Sequence, residues 1–284
     1  MSRSSFAPIV VASLVFAAPA LAGESAQLAR LLAEKAPTVV PVRLVLKTEM
    51  KYAGNAQDEE SRLEMDGTVV DPGGLVMIAN TALSPSRLLS LMGQEMEGAE
   101  ITATPTDIKV VLGPDEKEYT AFLAATDSKV DLAFLQVEGL GDRRLQAVDL
   151  QAAVKPAIGD ELAVVSRLAK GFDAAPYLEL ARVVGQITKP RPAWVVGGPA
   201  AFGVPAYTLD GKFAGVLTTL ESGVAASDGE SPFGFSTAMR MLSGGGGVIR
   251  PFLLPASAVT SLVQRAREQA AAKIAERAKS GAPE

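Results

Sequence analysis

Short β-favouring runs, punctuated at close intervals by glycine, proline and aspartate, dominate this chain and limit what it can fold into. Thr38–Thr48, Arg62–Val70, Leu75–Ala79, Ile108–Leu112, Tyr119–Ala125 and Leu132–Val137 make a first set. Glu161–Arg167, Leu178–Ile187, Val204–Leu209, Phe213–Leu220 and Val248–Leu254 make a second. Turn chemistry separates them: Asp71-Pro72-Gly73-Gly74 and Leu209-Asp210-Gly211-Lys212 join a capping aspartate to glycines that accept positive φ. Strands this short and this closely spaced imply an all-β sandwich or barrel. Hydrophobic residues make up 48% of the chain and charged ones 21%, enough for a packed core. With no cysteine, that core must hold the fold without disulfides.

The first 22 residues read as a secretory signal. Arg3 precedes an apolar run from Pro8 to Ala18, and Ala20-Leu21-Ala22 supplies a small-x-small cleavage pattern before Gly23. The run is shorter than the roughly 20 residues a membrane-spanning helix needs, and Pro19 ends it. The expectation is a protein exported to the periplasm or beyond, with no membrane span after cleavage. Glu24–Ala36, with Leu28, Leu31 and Leu32 at helical spacing, predicts a short helix. Ala256 to about Ala278 predicts another, docked through Val259, Leu262 and Val263 and solvated in its second half. Two stretches break the strand pattern. Ser84–Glu100 is rich in methionine and leucine and reads as a short helix or long loop. Glu221–Gly247 is rich in glycine and serine and reads as a surface loop.

Histidine is absent as well. Together with the missing cysteine this excludes Ser-His-Asp and Cys-His hydrolases, CxxC redox centres and histidine-ligated metals. The formal charge of −5, one unit more negative without Arg3, and the lack of a Lys/Arg cluster argue against nucleic acid as a partner.

Three segments carry a resemblance to a known family. Gly67-Thr68-Val69-Val70-Asp71-Pro72-Gly73-Gly74-Leu75-Val76-Met77-Ile78-Ala79-Asn80-Thr81-Ala82 is similar to a hairpin that leads to a catalytic histidine. Asp127-Ser128-Lys129-Val130-Asp131-Leu132-Ala133-Phe134-Leu135-Gln136-Val137 is similar to the strand that follows the catalytic aspartate. Gly203-Val204-Pro205-Ala206-Tyr207-Thr208-Leu209-Asp210-Gly211-Lys212-Phe213-Ala214-Gly215-Val216 is similar to the hairpin that follows the nucleophile. Ile158–Val165 and Arg250–Ser257 fall in matching order between and after them. Together they resemble the HtrA/Deg branch of the trypsin-like serine proteases across roughly Ala36 to Arg265.

The resemblance implies an all-β, chymotrypsin-like pair of six-stranded barrels. The first would occupy 37–150 and the second 151–255, preceded by a helical segment at 23–36 and followed by a helix and tail at 256–284. It also implies a degenerate catalytic triad. Thr81 stands at the histidine position, and a threonine hydroxyl cannot take a proton from a nucleophile near neutral pH. Asp131 keeps the acid, although an aspartate opening a strand also serves to bind nearby backbone N–H groups. The nucleophile position falls on Phe202 or, in a second register, on Val196, and neither side chain can attack a carbonyl. Gly203 is the one glycine retained in the oxyanion loop, and the peptide-capturing PDZ domain common in the family is not expected after the closing helix.

Other chemistry is thinly signalled. Ser166 and Lys170 have the spacing of a Ser-Lys pair, but Ser166 ends a strand. Asp58-Glu59-Glu60 with Glu64 and Asp66 lacks calcium-loop spacing and reads as a solvated hairpin tip. Gly197-Gly198 and Gly244–Gly247 lack the Lys-Ser/Thr of a phosphate loop, and no cofactor signature is present. Leu88, Leu89, Leu91, Met92 and Met96 form either an adaptable contact surface or a helix packed on a barrel. The expected function is therefore a non-catalytic protein- or peptide-binding domain, recognising its partner through the old cleft of Thr81, Asp131, Phe202 and Gly203, the Ser84–Glu100 stretch or the Glu221–Gly247 loop, with a strand added beside the second barrel as one mode for a peptide. The competing readings are a hydrolase with an unrecognised Ser/Lys or carboxylate site, and a structural domain packed in an envelope complex.

Overall fold

A computed structural model describes residues 18–52, 55–84, 100–113, 117–198, 201–220 and 251–280. Helix α1 (Ala18–Lys35) leads through a 3-10 turn into six strands. These are β1 (Val39–Tyr52), β2 (Asn55–Asp71), β3 (Leu75–Ala79), β4 (Glu100–Leu112), β5 (Lys117–Asp127) and β6 (Leu132–Val137). They close antiparallel into a barrel in the order β1-β2-β3-β6-β5-β4. Strands β7 (Glu161–Arg167), β8 (Pro176–Ile187), β9 (Ala193–Gly197), β10 (Pro205–Thr208), β11 (Phe213–Thr218) and β12 (Phe252–Pro255) close a second, ordered β10-β11-β12-β9-β8-β7. Helix α2 (Ala256–Ser280) follows directly. Two closed six-stranded antiparallel barrels with a C-terminal helix are consistent with a chymotrypsin-like fold.

Three apolar clusters explain the strand sequences. Val42, Leu44, Val69, Val76, Ile78, Val110, Ala133 and Leu135 fill the first barrel. Leu162, Val164, Val183, Trp194, Val196, Ala214 and Leu217 fill the second. The third cluster lies outside both, where Val39, Met77, Leu132 and Phe134 of the first barrel meet Ala163, Val165, Tyr207, Phe213 and Val216 of the second beneath α2. Strands between an interior and this seam are buried on both faces, so β3, β6 and β11 read as nearly continuous apolar runs without alternation.

α2 is the physical tie. Val259, Leu262, Val263, Ala266 and Ala270 recur at helical spacing and are buried in the seam cluster. Its second half is solvent-exposed yet fastened: Lys273 Nζ donates to Leu123 O at 2.8 Å, and Arg277 pairs with Glu138 at 2.8 Å while its guanidinium lies 4.2 Å from the Phe122 ring centre. The expected solvated half is thus a cationic latch on the first barrel. α1 already includes Ala18, ahead of Glu24 where the sequence implies a start.

Other differences follow from composition. The acidic run Asp58–Glu60 lies within β2 rather than at a hairpin tip, because β1, β2 and β4 extend beyond the apolar segments that mark them. β9 has no counterpart among the expected strands. The second-half segments Val204–Leu209 and Phe213–Leu220 shorten to β10 and β11, and the Glu221–Gly247 loop and residues 85–99 of the Met/Leu-rich stretch lie outside the described residues. Among the described residues, no helix is long and apolar enough to cross a membrane.

Leu262→Ala should cost about 3 kcal/mol, the usual scale for emptying a buried leucine site, and urea unfolding should show a lower midpoint. An unchanged midpoint would mean that α2 does not tie the barrels.

Candidate functional site

Asp131 reaches its place through a local turn. Asp127 Oδ1 accepts the Lys129 N–H at 3.2 Å and caps a 3-10 turn over Ser128–Val130. Asp131 then adopts the left-handed conformation, φ 55°, that aspartate tolerates better than most residues and that redirects the chain into β6. Its carboxylate is fully buried at the seam. Oδ1 accepts both the backbone N–H and the hydroxyl of Thr81, each at 2.6 Å, and Oδ2 accepts the Thr219 hydroxyl at 2.7 Å. The Asn80 N–H donates to Asp131 O at 3.0 Å and fixes the turn after β3. One carboxylate thus joins the end of β3 in the first barrel to the end of β11 in the second.

Gly203 meets the same seam from the β9–β10 connection. Its φ is +76°, and an added Cβ would lie 2.6 Å from Ala79 N and 3.0 Å from the Ile78 carbonyl carbon. Only glycine permits this approach. The Thr68 hydroxyl donates to Gly203 O at 2.7 Å, and the Gly203 N–H donates to Leu217 O at 2.8 Å, so that N–H is not available to an oxyanion. Phe202, immediately before it, is half-buried. Val196 lies within β9 and faces the interior of the second barrel, away from this seam.

The geometry therefore brings Thr81, Asp131 and Gly203 together. Sequence patterns do not reveal Thr68, Thr218 and Thr219, which complete the cluster; the Thr218 hydroxyl donates to Val130 O. The one sequence signal for Thr218 and Thr219 is a pair of threonines at the end of an apolar run, Thr218 the last residue of β11 and Thr219 just after it. Every buried polar side chain among the described residues except Asn80 makes a hydrogen bond across the seam.

Ser166 and Lys170 play other parts. The Ser166 hydroxyl and the Arg167 N–H, the latter at 2.9 Å, donate to Asp66 Oδ2 on β2, while the Lys170 N–H donates to Glu64 Oε1 at 2.9 Å. The Arg167 guanidinium donates to Val39 O at 2.6 Å, Ala36 O at 2.9 Å and Ala174 O at 3.0 Å. Burial pushes the Asp66 carboxyl above its ordinary range, although the bonds from Ser166 and Arg167 oppose this. The same desolvation lowers Arg167. This is a second polar anchor between the barrels, with no serine poised to attack. Among the described residues, Asp58, Glu59, Glu60, Glu64 and Asp66 form no cluster that could hold a metal ion. An open groove of about 510 Å³ between α1 and the β10–β11 turn includes Gln27, Arg30, Glu34 and Asp210 in its lining, and none of its lining residues belongs to the Asp131 cluster.

The sequence matches no known family profile and no curated protein.

Asp131→Asn replaces an acceptor with a donor facing hydroxyls, and should cost about 3 kcal/mol in chemical denaturation. Asp66 gives a pH signature. A carboxyl raised in the folded state stabilises the fold below the ordinary carboxylate range and loses that contribution as pH climbs through the raised value. The stability advantage of the parent over Asp66→Asn should therefore shrink from about pH 4 upward, as urea midpoints at several pH values would show. A pH-independent difference would contradict it.

Proposed function

We propose that this chain is an exported, non-catalytic relative of the trypsin-like serine proteases, of the HtrA/Deg kind, acting as a protein- or peptide-binding module with a scaffolding or chaperone-like role. The observation that carries this reading is the Thr81–Asp131–Thr219 chain of hydrogen bonds. In acyl-transfer enzymes with a buried acid, that acid orients a base which takes the proton of the nucleophile. Here the group held by the acid is a hydroxyl that donates a hydrogen bond to the carboxylate. No base results, and Phe202 offers no nucleophile. What remains is a rigid junction between two barrels, suited to presenting surface rather than to breaking bonds. The leader-like first 22 residues support a periplasmic or secreted setting. The competing hydrolase reading draws no support from Ser166, whose hydroxyl is taken up by Asp66.

Reaction with a fluorophosphonate probe tests this directly. Labelling should stay at background in the parent protein and in Phe202→Ala. Labelling abolished by Ser166→Ala would replace the binding reading with a Ser-Lys hydrolase.

A further inference from the structure

Closed barrels still leave unpaired strand edges, and among the described residues a long one lies in the first barrel. β1 and β2 run in unbroken register from Val39↔Thr68 to Tyr52↔Asn55, whereas β3 pairs only with Thr68 to Asp71 on the other side of β2. β4 follows β1 as far as Lys51↔Glu100, but β5 pairs only with Lys109 to Leu112. Residues 47–52, 55–63 and 100–107 therefore form a three-stranded ribbon that projects past the closed part of the first barrel, with β2 and β4 as its margins.

The two margins differ. β4 carries Pro105, which has no N–H, opposite a register shift between Val45 and Leu46. Both features discourage a further strand. The β2 margin has no proline, and its register with β1 does not shift. Past Leu63 it is covered, since Glu64 and Asp66 accept hydrogen bonds from the second barrel. Among the described residues nothing pairs with Asn55–Leu63 on that side, a stretch of about 30 Å at the rise of an antiparallel strand.

Negative charge predominates on this margin: Asp58, Glu59 and Glu60 stand against Arg62 alone. Lys47 holds Asp58 at 3.1 Å and Arg43 holds Glu64 at 3.1 Å. Glu59 and Glu60 are exposed and make no ion pair among the described residues. A second copy is a poor occupant, because two-fold pairing centred on Glu59 sets Glu59 against Glu59 and Asp58 against Glu60. An extended segment rich in lysine or arginine is favoured instead: main-chain hydrogen bonds supply affinity and the carboxylates select the sign.

We propose that the β2 margin, Asn55–Leu63, is the docking site for an extended basic polypeptide segment that adds to the ribbon as a fourth strand. The inference rests on the binding role proposed above and places the contact away from the closed Asp131 seam and from the second barrel.

The probe is a short fluorescein-labelled peptide of alternating lysine and valine, with a glutamate–valine peptide as control, followed by anisotropy and by amide hydrogen exchange. The lysine peptide should bind, weaken with added salt and slow exchange across residues 55–63, while the control should not bind. Glu59→Lys/Glu60→Lys should weaken binding about tenfold or more with an unchanged melting temperature. Absence of binding, equal binding by the variant, or a dimer that protects 55–63 would overturn the proposal. Binding that protects Thr81, Phe202–Val204 and Thr219 instead would overturn the site and leave the binding role standing. Cleavage of the peptide would overturn the binding role itself.

Discussion

Closure of a β-barrel consumes the backbone hydrogen bonds with which it could join a neighbour, so two closed barrels must be held together by side chains. That constraint organises the whole molecule. The apolar seam supplies the non-directional part of the association through Met77, Phe134, Tyr207, Phe213 and the buried face of α2. Direction comes from two polar anchors between the barrels, one made by Asp131 with Thr81 and Thr219 and the other by Asp66 with Ser166 and Arg167. Each buries polar groups that must be matched, so the barrels have one relative placement in which every partner is satisfied.

The same logic explains how an acid site can outlast the chemistry it resembles. Asp131 is bound by a backbone N–H, two hydroxyls and the turn that sets its left-handed backbone. Losing it would break the junction, whatever stands at the neighbouring positions. Thr81 fits because a short hydroxyl reaches the carboxylate directly. Phe202 is under no such constraint, since the bonds that hold its loop are made by the backbone of Gly203 and by Val204 O.

How much of this the sequence reveals depends on where each residue lies. β3, β6 and β7 are legible to the residue, because burial on both faces makes each an apolar run with turn residues at its ends. β9 is hidden: its five residues follow Arg191-Pro192 and end in Gly197, with Gly198 next, a setting that reads as loop. The ribbon is hidden for the opposite reason. Its residues face solvent on much of both sides, so no alternation marks them, and acidic side chains of low strand preference occupy its margin. Asp131 is legible from the Asp-Leu-Ala pattern before β6, but Thr219 is not, because its partner lies 88 positions away and only the meeting of the barrels makes it a donor.

The position of α2 in the chain has a consequence for how the protein is made. A polypeptide emerging N-terminus first completes the strands of its first barrel by Val137, well before Ala256–Ser280. Until then Phe122, Val130 and Phe134 lack the seam and the helix that shelter them. A nascent intermediate with an uncovered apolar flank is vulnerable to aggregation, and its dwell time is set by the intervening stretch. The lysine and arginine latches of α2 are then the final fastening, drawing the late helix back across the oldest part of the fold.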